Sequence, residues 1–422
     1  MKFLRFGLYA LIAFAVLAHG GVEDWARAVL ETGAGGLFLA WAARFFTKGQ
    51  ERISFPALLL PFSAFFLLVF AQWFFRRTAS SFDTRIELQL LLADLLILFV
   101  AAQIFQSIED WRGFIWFIMI FGFLVSGFGI LQHLTFNGKL YWFREMRYGG
   151  VPFGPYVNRN HFAGFAELVI PTGLVPLVLG KVRRERRFVV GLLVFVPLAA
   201  LFLSASRGGI VSVGVELCIL TLLLFLRRSI GRHVLAGAAV LALAMLLVSW
   251  LGVKEILARF SSLQTLEVSE SKRASMRQGT WRIFLDHPLS GTGLGTLQIV
   301  YPLYETQYDG KIVNHSHNDY LEALAETGVL GGLCCAWYLG LLFVQGISRI
   351  LESNRSFVLS LNLSGLVACC GFLTHSLVDF NLHIPSNALL FFLMGLLATI
   401  LLRPTAPLTR ASTPGHSSGG NP

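Results

Sequence analysis

Charged residues are scarce in this chain of 422 residues. Asp, Glu, Lys and Arg make up 14% of the sequence, whereas hydrophobic residues make up 55%. Soluble domains usually carry about 25% charged residues. This scarcity excludes an ordinary soluble globular protein, and the composition predicts an all-α, polytopic membrane protein.

Spacings that bind metal ions are also missing. The five cysteines lie within apolar runs, and none belongs to a CxxC pair. Neither an H-E-x-x-H motif nor a paired Asp-x-Asp occurs. The sequence therefore predicts no metal site, no metal-dependent reaction and no cofactor.

Nucleic-acid and nucleotide binding lack support as well. The net charge of +10 comes from basic residues scattered among the loops between hydrophobic spans, without a basic domain. The glycine-rich fragment 291–295 lacks the preceding strand and the βαβ unit of a dinucleotide-binding loop, so it predicts a backbone turn. Anionic lipid, or a phosphorylated substrate linked to lipid, is the better partner for the basic loops.

Apolar stretches of about 20 residues predict membrane-spanning helices. About twelve occur, at 3–18, 27–46, 55–75, 86–106, 112–134, 160–180, 188–204, 207–226, 233–252, 321–347, 357–380 and 387–402. The first resembles a signal peptide, but the many spans after it favour a retained helix. An even number of spans places both termini on one side of the membrane.

Basic residues in the short loops, such as those at 181–187 and 227–232, place both termini inside the cell. One large segment then lies outside, and its basic residues favour an anionic substrate on the outer face. The predicted organisation is spans one to nine in 1–252, the outer segment in 253–320, spans ten to twelve in 321–403 and a disordered cytoplasmic tail in 404–422.

Polar residues are concentrated at 314–321, just before an apolar segment that extends to residue 347. This stretch contains two histidines, two asparagines and an aspartate. An imidazole such as that of His317 is suited to take a proton from an acceptor hydroxyl. The alternative is a polar cap on the next helix, with Asn314 or Ser316 as the N-cap residue.

Arginines and amides mark further candidate binding positions. Arg207, between serine and glycine at a predicted helix start, is suited to bind phosphate, or else it reaches lipid headgroups. Arg277 and Arg282 precede the glycine-rich turn. Asn160 either binds sugar hydroxyls or caps the sixth span. Four carboxylates within or at the ends of spans are functional candidates without an assigned role, namely Asp94, Glu167, Glu216 and Asp379.

Four motifs in a fixed order resemble the O-antigen ligase and O-antigen polymerase superfamily. They are His317-Asn318 with Tyr320-Leu321, Glu326, Gly328 and Gly331; residues 277–281 leading to 287–293; residues 206–209; and residues 158–164. The resemblance implies a metal-independent glycosyltransferase of the bacterial inner membrane. Such enzymes move a glycan from undecaprenyl pyrophosphate to an acceptor on the periplasmic side.

The resemblance also implies roles for individual residues. His317 would be the general base, and Arg207 and Arg277, supported by Arg282, would hold the pyrophosphate. Weaker contacts with the substrate would be made by Asn160, His315 and Asn318. The acceptor is lipid A-core in a ligase, the next repeat unit in a polymerase, and protein in other relatives; ligase activity is favoured.

Two other classes of protein compete with this interpretation. Transporters place ionisable groups near the bilayer midplane, whereas here the polar residues are predicted on the outer face. An interaction protein without catalysis would not need the histidine cluster.

Overall fold

A computed structural model describes residues 1–49, 53–145, 151–227, 270–353 and 356–401. Within these ranges the chain forms thirteen α-helices and no strand. They are α1 (Lys2–Leu17), α2 (Asp24–Lys48), α3 (Leu59–Phe74), α4 (Ser81–Ile104), α5 (Ile108–Leu134), α6 (Arg159–Val178), α7 (Arg187–Leu203), α8 (Arg207–Leu226), α9 (Glu270–Asp286), α10 (Leu297–Val300), α11 (Asp319–Glu352), α12 (Ser356–His375) and α13 (Pro385–Thr399).

Seven described helices are long and apolar enough to cross a membrane, judged by length and composition. They are α4, α5, α6, α7 with the turn before it, α8, α11 and α12, and two shorter apolar helices are α3 and α13. The prediction of an all-helical membrane protein is confirmed. The number of twelve spans and the outer segment stay predictions. The predicted span at 233–252, the first part of the outer segment and the tail at 404–422 lie outside the described residues.

Helix α12 forms the centre of the bundle and packs against α6, α8 and α13. Its polar side chains find partners within the protein: the Asn362 Nδ2 amide donates to the carbonyl of Ala398 at 2.9 Å, and the Ser364 hydroxyl donates to the carbonyl of Pro171 at 3.1 Å. Away from water, such groups must be satisfied by neighbouring helices. These contacts hold the first half of α12 against the end of α13 and against α6.

Helix α11 is broken at Gly328, whose φ of 63° is in the left-handed region. The glycine-rich turn that follows α9 occupies the break. The amide of Gly293 donates to the carbonyl of Glu326 at 2.8 Å, and the amide of Val329 donates to the carbonyl of Pro288 at 2.8 Å. The fragment 291–295 is thus a backbone turn, as predicted, and it joins the segment after α9 to the broken helix.

The Glu326 side chain strengthens this joint. Its carboxylate accepts hydrogen bonds from the amides of Gly295 at 2.9 Å and Leu297 at 2.8 Å, at the start of α10. Gln72 on α3 donates to the carbonyls of Ser290 and Glu326. A small hydrophobic core between α9 and α11 lies beside it, including Met276, Ile283, Val313 and Ala325. Together these contacts hold the chain that leads into residues 314–319.

Candidate active site

Three helices begin close together, and each start is capped by a polar side chain. Asn158 accepts from the amide of Asn160 at the start of α6, Ser206 accepts from the amide of Gly209 at the start of α8, and Asn318 accepts from the amide of Leu321 at the start of α11. Such caps satisfy amides that have no partner within the helix. The alternative that Asn314 or Ser316 is the N-cap residue of this helix is wrong, because the N-cap residue is Asn318.

Glycines bring these helix starts together. A Cβ atom at Gly209 would lie 2.6 Å from the Cβ of Ala163 on α6, and one at Gly208 would lie 2.5 Å from the His375 ring at the end of α12. Larger side chains would separate the helices. The turn that carries Arg207 is therefore held against the end of α12.

The loop between α12 and α13 lies across the start of α11. The Asp319 amide donates to the carbonyl of Ser376 at 3.0 Å, and the Asn318 side chain donates to the carbonyl of Leu377 at 2.9 Å. The amide of Leu382 in turn donates to the Asp319 carboxylate at 3.1 Å. This loop brings Asp379 to the histidines of the polar stretch.

His317 pairs with Asp379. Its Nδ1 atom lies 3.2 Å from Oδ1 of Asp379, and the two residues are 8% and 1% exposed. His317 adopts a φ of 52°, an uncommon conformation for a residue other than glycine that occurs where the surroundings enforce it. The folded environment thus fixes the direction of this imidazole.

The protonation of Asp379 follows from its neighbours. Burial alone would raise the pKa of the Asp379 carboxyl, but the hydrogen bond and charge of His317, with His161 and His375, lower it below its ordinary value. An ionised carboxylate accepts a hydrogen bond from the Nδ1–H of His317. Nε2 of a neutral ring then keeps its lone pair, and this atom makes no hydrogen bond with any residue of the described ranges.

A second cluster surrounds Glu322 on the first turn of α11. Its carboxylate lies 2.7 Å from Nδ1 of His315 and 3.3 Å from Nε2 of His383, and it accepts from the amide of Ser316 at 2.7 Å. Nδ1 of His383 lies 2.9 Å from the carboxylate of Asp319. Burial alone would lower the pKa of His383, but Glu322 and Asp319 raise it to about 10.

The ring of Phe380 contacts the histidines of both groups. Its centroid is 5.0 Å from that of His317 and 4.4 Å from that of His315, which stacks on it. A third histidine, His161 on α6, is 4.8 Å away. Phe380 thus borders both the His317–Asp379 pair and the cluster around Glu322.

The structure brings together some of the predicted site residues. His315, His317 and Asn318 meet at the start of α11, and Asn160 lies at the capped start of α6. Arg207 is exposed at the start of α8. Its turn packs against the end of α12, four residues before Asp379.

The other two arginines lie on a different helix. Arg277 is half-buried and Arg282 is exposed, both on α9. In the part of the chain that the structure describes, no hydrogen bond or ion pair joins them to His317. The guanidinium groups of Arg207, Arg277 and Arg282 form no ion pair with a described residue.

Asp379 and His383 are candidate site residues whose partners the local sequence does not reveal. Asp379 follows His317 by 62 residues, and the only signal for it was a carboxylate at the end of an apolar span. Of the other intramembrane carboxylates, Glu167 pairs with His375 at 2.8 Å. Asp94 lines a cavity, and neither carboxylate oxygen of Glu216 has a hydrogen-bond partner among the described residues.

The bundle and its histidine–carboxylate pair at converging helix starts define a polytopic membrane protein with an enzyme-like site. Residues 189–336 match the sequence model of the family described as O-Antigen ligase. Three of the four motifs, all except residues 158–164, lie within the matched region, so the resemblance to this superfamily is confirmed. The matched family implies glycosyl transfer of the ligase or polymerase type. No curated protein matches the chain.

Proposed function

We propose that this protein transfers a glycan from undecaprenyl pyrophosphate to an acceptor hydroxyl, with His317 as the general base and Asp379 as the residue that orients it. The observation that carries the proposal is the buried His317–Asp379 pair, located where three capped helix starts meet. When one ring nitrogen of a histidine is hydrogen-bonded to a carboxylate, the other ring nitrogen points in a fixed direction and can act as the base.

In the proposed reaction every bond that forms is matched by one that breaks, and no step uses a metal ion. Nε2 of His317 takes the proton of the acceptor hydroxyl, and the hydroxyl oxygen forms a bond to the anomeric carbon of the donor sugar. The bond between that carbon and the phosphate oxygen breaks, and the pyrophosphate leaves with its electron pair. Arginine side chains stabilise such a charge by paired hydrogen bonds.

Arg207, Arg277 and Arg282 are the proposed ligands of the pyrophosphate. Among the described residues none forms an ion pair with any of the three guanidinium groups, which favours a role in binding an anion. The amides at the start of α8 add a favourable dipole beside Arg207. Asn160, His315 and Asn318 are proposed to contact sugar hydroxyls.

The proposed location is the bacterial inner membrane, with the site on the periplasmic face and both termini in the cytoplasm. Ligase-type transfer to lipid A-core is the leading activity, and polymerisation of an O-antigen or exopolysaccharide is the second. A transporter is disfavoured because the site lies at capped helix starts, and transport sites favour the middle of the membrane.

Deletion of the gene tests the proposal. A ligase predicts core lipid A without polymer while lipid-linked polymer accumulates. A polymerase predicts single repeat units on the core. Unchanged surface and lipid-linked glycans in the deletion strain, with restored expression as the control, would contradict both activities.

A further inference from the structure

The cluster around Glu322 combines two imidazoles with one buried carboxylate. Nδ1 of His315, Nε2 of His383 and a carboxylate oxygen of Glu322 all lie within 4.8 Å of one another. Glu322 is 1% exposed, so this set is not a chance grouping of surface acids. No local spacing reveals it, because His383 comes from the loop after α12 and the other two flank the start of α11.

Asp319 and Ser316 hold the side chains of His383 and Glu322 in orientations that suit metal binding. A histidine that binds a metal ion usually donates its other ring N–H to a carboxylate, which fixes the ring. Nδ1 of His383 lies 2.9 Å from Asp319, which turns Nε2 of the same ring towards Glu322. The other oxygen of Glu322 accepts from both the amide and the hydroxyl of Ser316.

Charge and ligand type point to one class of ion. The carboxylates of Asp319 and Glu322 are both buried, and buried carboxylates pair with a cationic group or bind a metal ion. Two nitrogen ligands and one oxygen ligand suit Zn²⁺ and its neighbours in the transition series, whereas Mg²⁺ and Ca²⁺ prefer oxygen ligands only.

The two separations between a histidine nitrogen and Glu322 are close to those of a zinc site. Zn²⁺ binds nitrogen and oxygen ligands at about 2.0–2.2 Å, so tetrahedral ligand atoms lie roughly 3.3 Å apart. The separation of 3.3 Å between His383 Nε2 and Glu322 already agrees, and the separation of 2.7 Å between His315 Nδ1 and Glu322 must widen slightly.

We infer that His315, Glu322 and His383 form a binding site for a divalent transition-metal ion of the zinc class, with the fourth position open. The ion joins the polar stretch before α11 to the loop after α12. The ion is proposed to hold these two segments together, and the proposed base remains His317, which is not one of its ligands. The inference goes beyond the proposed glycosyl transfer and does not depend on it.

The metal content of the purified full-length protein tests this inference. After incubation with ZnCl₂ and removal of free ions, we expect about one zinc per chain for the wild type and for His287→Ala, whose histidine is exposed. His383→Ala and Glu322→Gln should bind less than one tenth of that amount. Equal zinc in these variants and the wild type would overturn the site.

Two measurements on the wild-type protein test the site even if the variants fail to fold. Added Zn²⁺ should raise the thermal unfolding midpoint of chelator-treated protein, and bound Co²⁺ should give the absorption bands of a four-coordinate site. An unchanged midpoint would contradict the inference. A thiolate-to-cobalt charge-transfer band would contradict it too, because it would place the ion on a cysteine.

Discussion

The imidazole of His317 and the carboxylate of Asp379 form a buried pair, 3.2 Å apart, although 62 residues separate them in the chain. Asp379 lies in the loop between α12 and α13, and His317 lies directly before the Asn318 cap of α11. The catalytic proposal depends on this relationship, because it assigns one ring nitrogen to orientation and leaves the other for proton transfer.

Replacing Asp379 by Asn should lower glycan transfer strongly, by about 10²-fold or more. The amide keeps the shape of the side chain but does not hold the Nδ1–H tautomer of His317, and a positioned base contributes about 10²- to 10⁴-fold. Transfer by purified protein to a defined acceptor is the measurement. The control is Asp286→Asn, an exposed aspartate on α9; equal activity of the two variants would argue against orientation.

The pH dependence of stability should also report on Asp379. Its pKa is lowered in the folded protein, so its contribution to stability is complete above the unfolded value of about 3.9 and is lost as the pH falls below it. The thermal unfolding midpoint of wild type should exceed that of Asp379→Asn at neutral pH, and the difference should shrink towards pH 3. A difference that grows on acidification would contradict the ionised carboxylate.

Arg207→Ala should raise the KM for the lipid-linked donor more than it lowers kcat at saturating donor, if the arginine binds the pyrophosphate in the ground state. A separate loss of kcat would indicate additional stabilisation of the leaving group. The control is Arg184→Ala, in the exposed turn before α7. If both variants have the same effect, general attraction of an anionic lipid explains the data instead.

Gly328→Ala should destabilise the protein by about 1–2 kcal/mol or more. The left-handed φ of 63° is strained for alanine, and the added Cβ would overlap the backbone of Leu289 in the adjoining turn. The matched control is Gly340→Ala in the same helix, where a Cβ meets nothing within 4 Å. Comparable midpoints for the two variants would show that the break in α11 is not constrained.

Much of the fold was predictable because long apolar stretches have few alternatives in a membrane. Eleven of the twelve predicted stretches overlap a helix of the described residues, and the ends of each such helix differ from the prediction by at most five residues. The stretch at 207–226 coincides with α8. The serine before Arg207 and the glycines after it were sufficient to place that helix start.

The break in α11 was not predictable from the residues around it. The segment 321–347 is apolar enough to be a continuous helix, and Gly328 alone is tolerated inside one. The break depends on the turn after α9, whose amides and carbonyls pair with those of Glu326 and Val329. Such pairing between distant segments leaves no local spacing in the sequence.

The candidate site was predictable only in part. The concentration of polar groups at 314–321 indicated His317 because hydrocarbon tolerates such groups poorly. Its partner Asp379 and the cluster member His383 belong to a loop that only tertiary packing brings to the start of α11.

The most direct test of His317 as the general base is glycan transfer by purified His317→Ala, with and without added imidazole. We predict that His317→Ala is abundant and inserted, that its transfer falls by about 10²- to 10⁴-fold, and that imidazole partly restores it. Transfer at the wild-type rate by His317→Ala would contradict the role of His317 as the base.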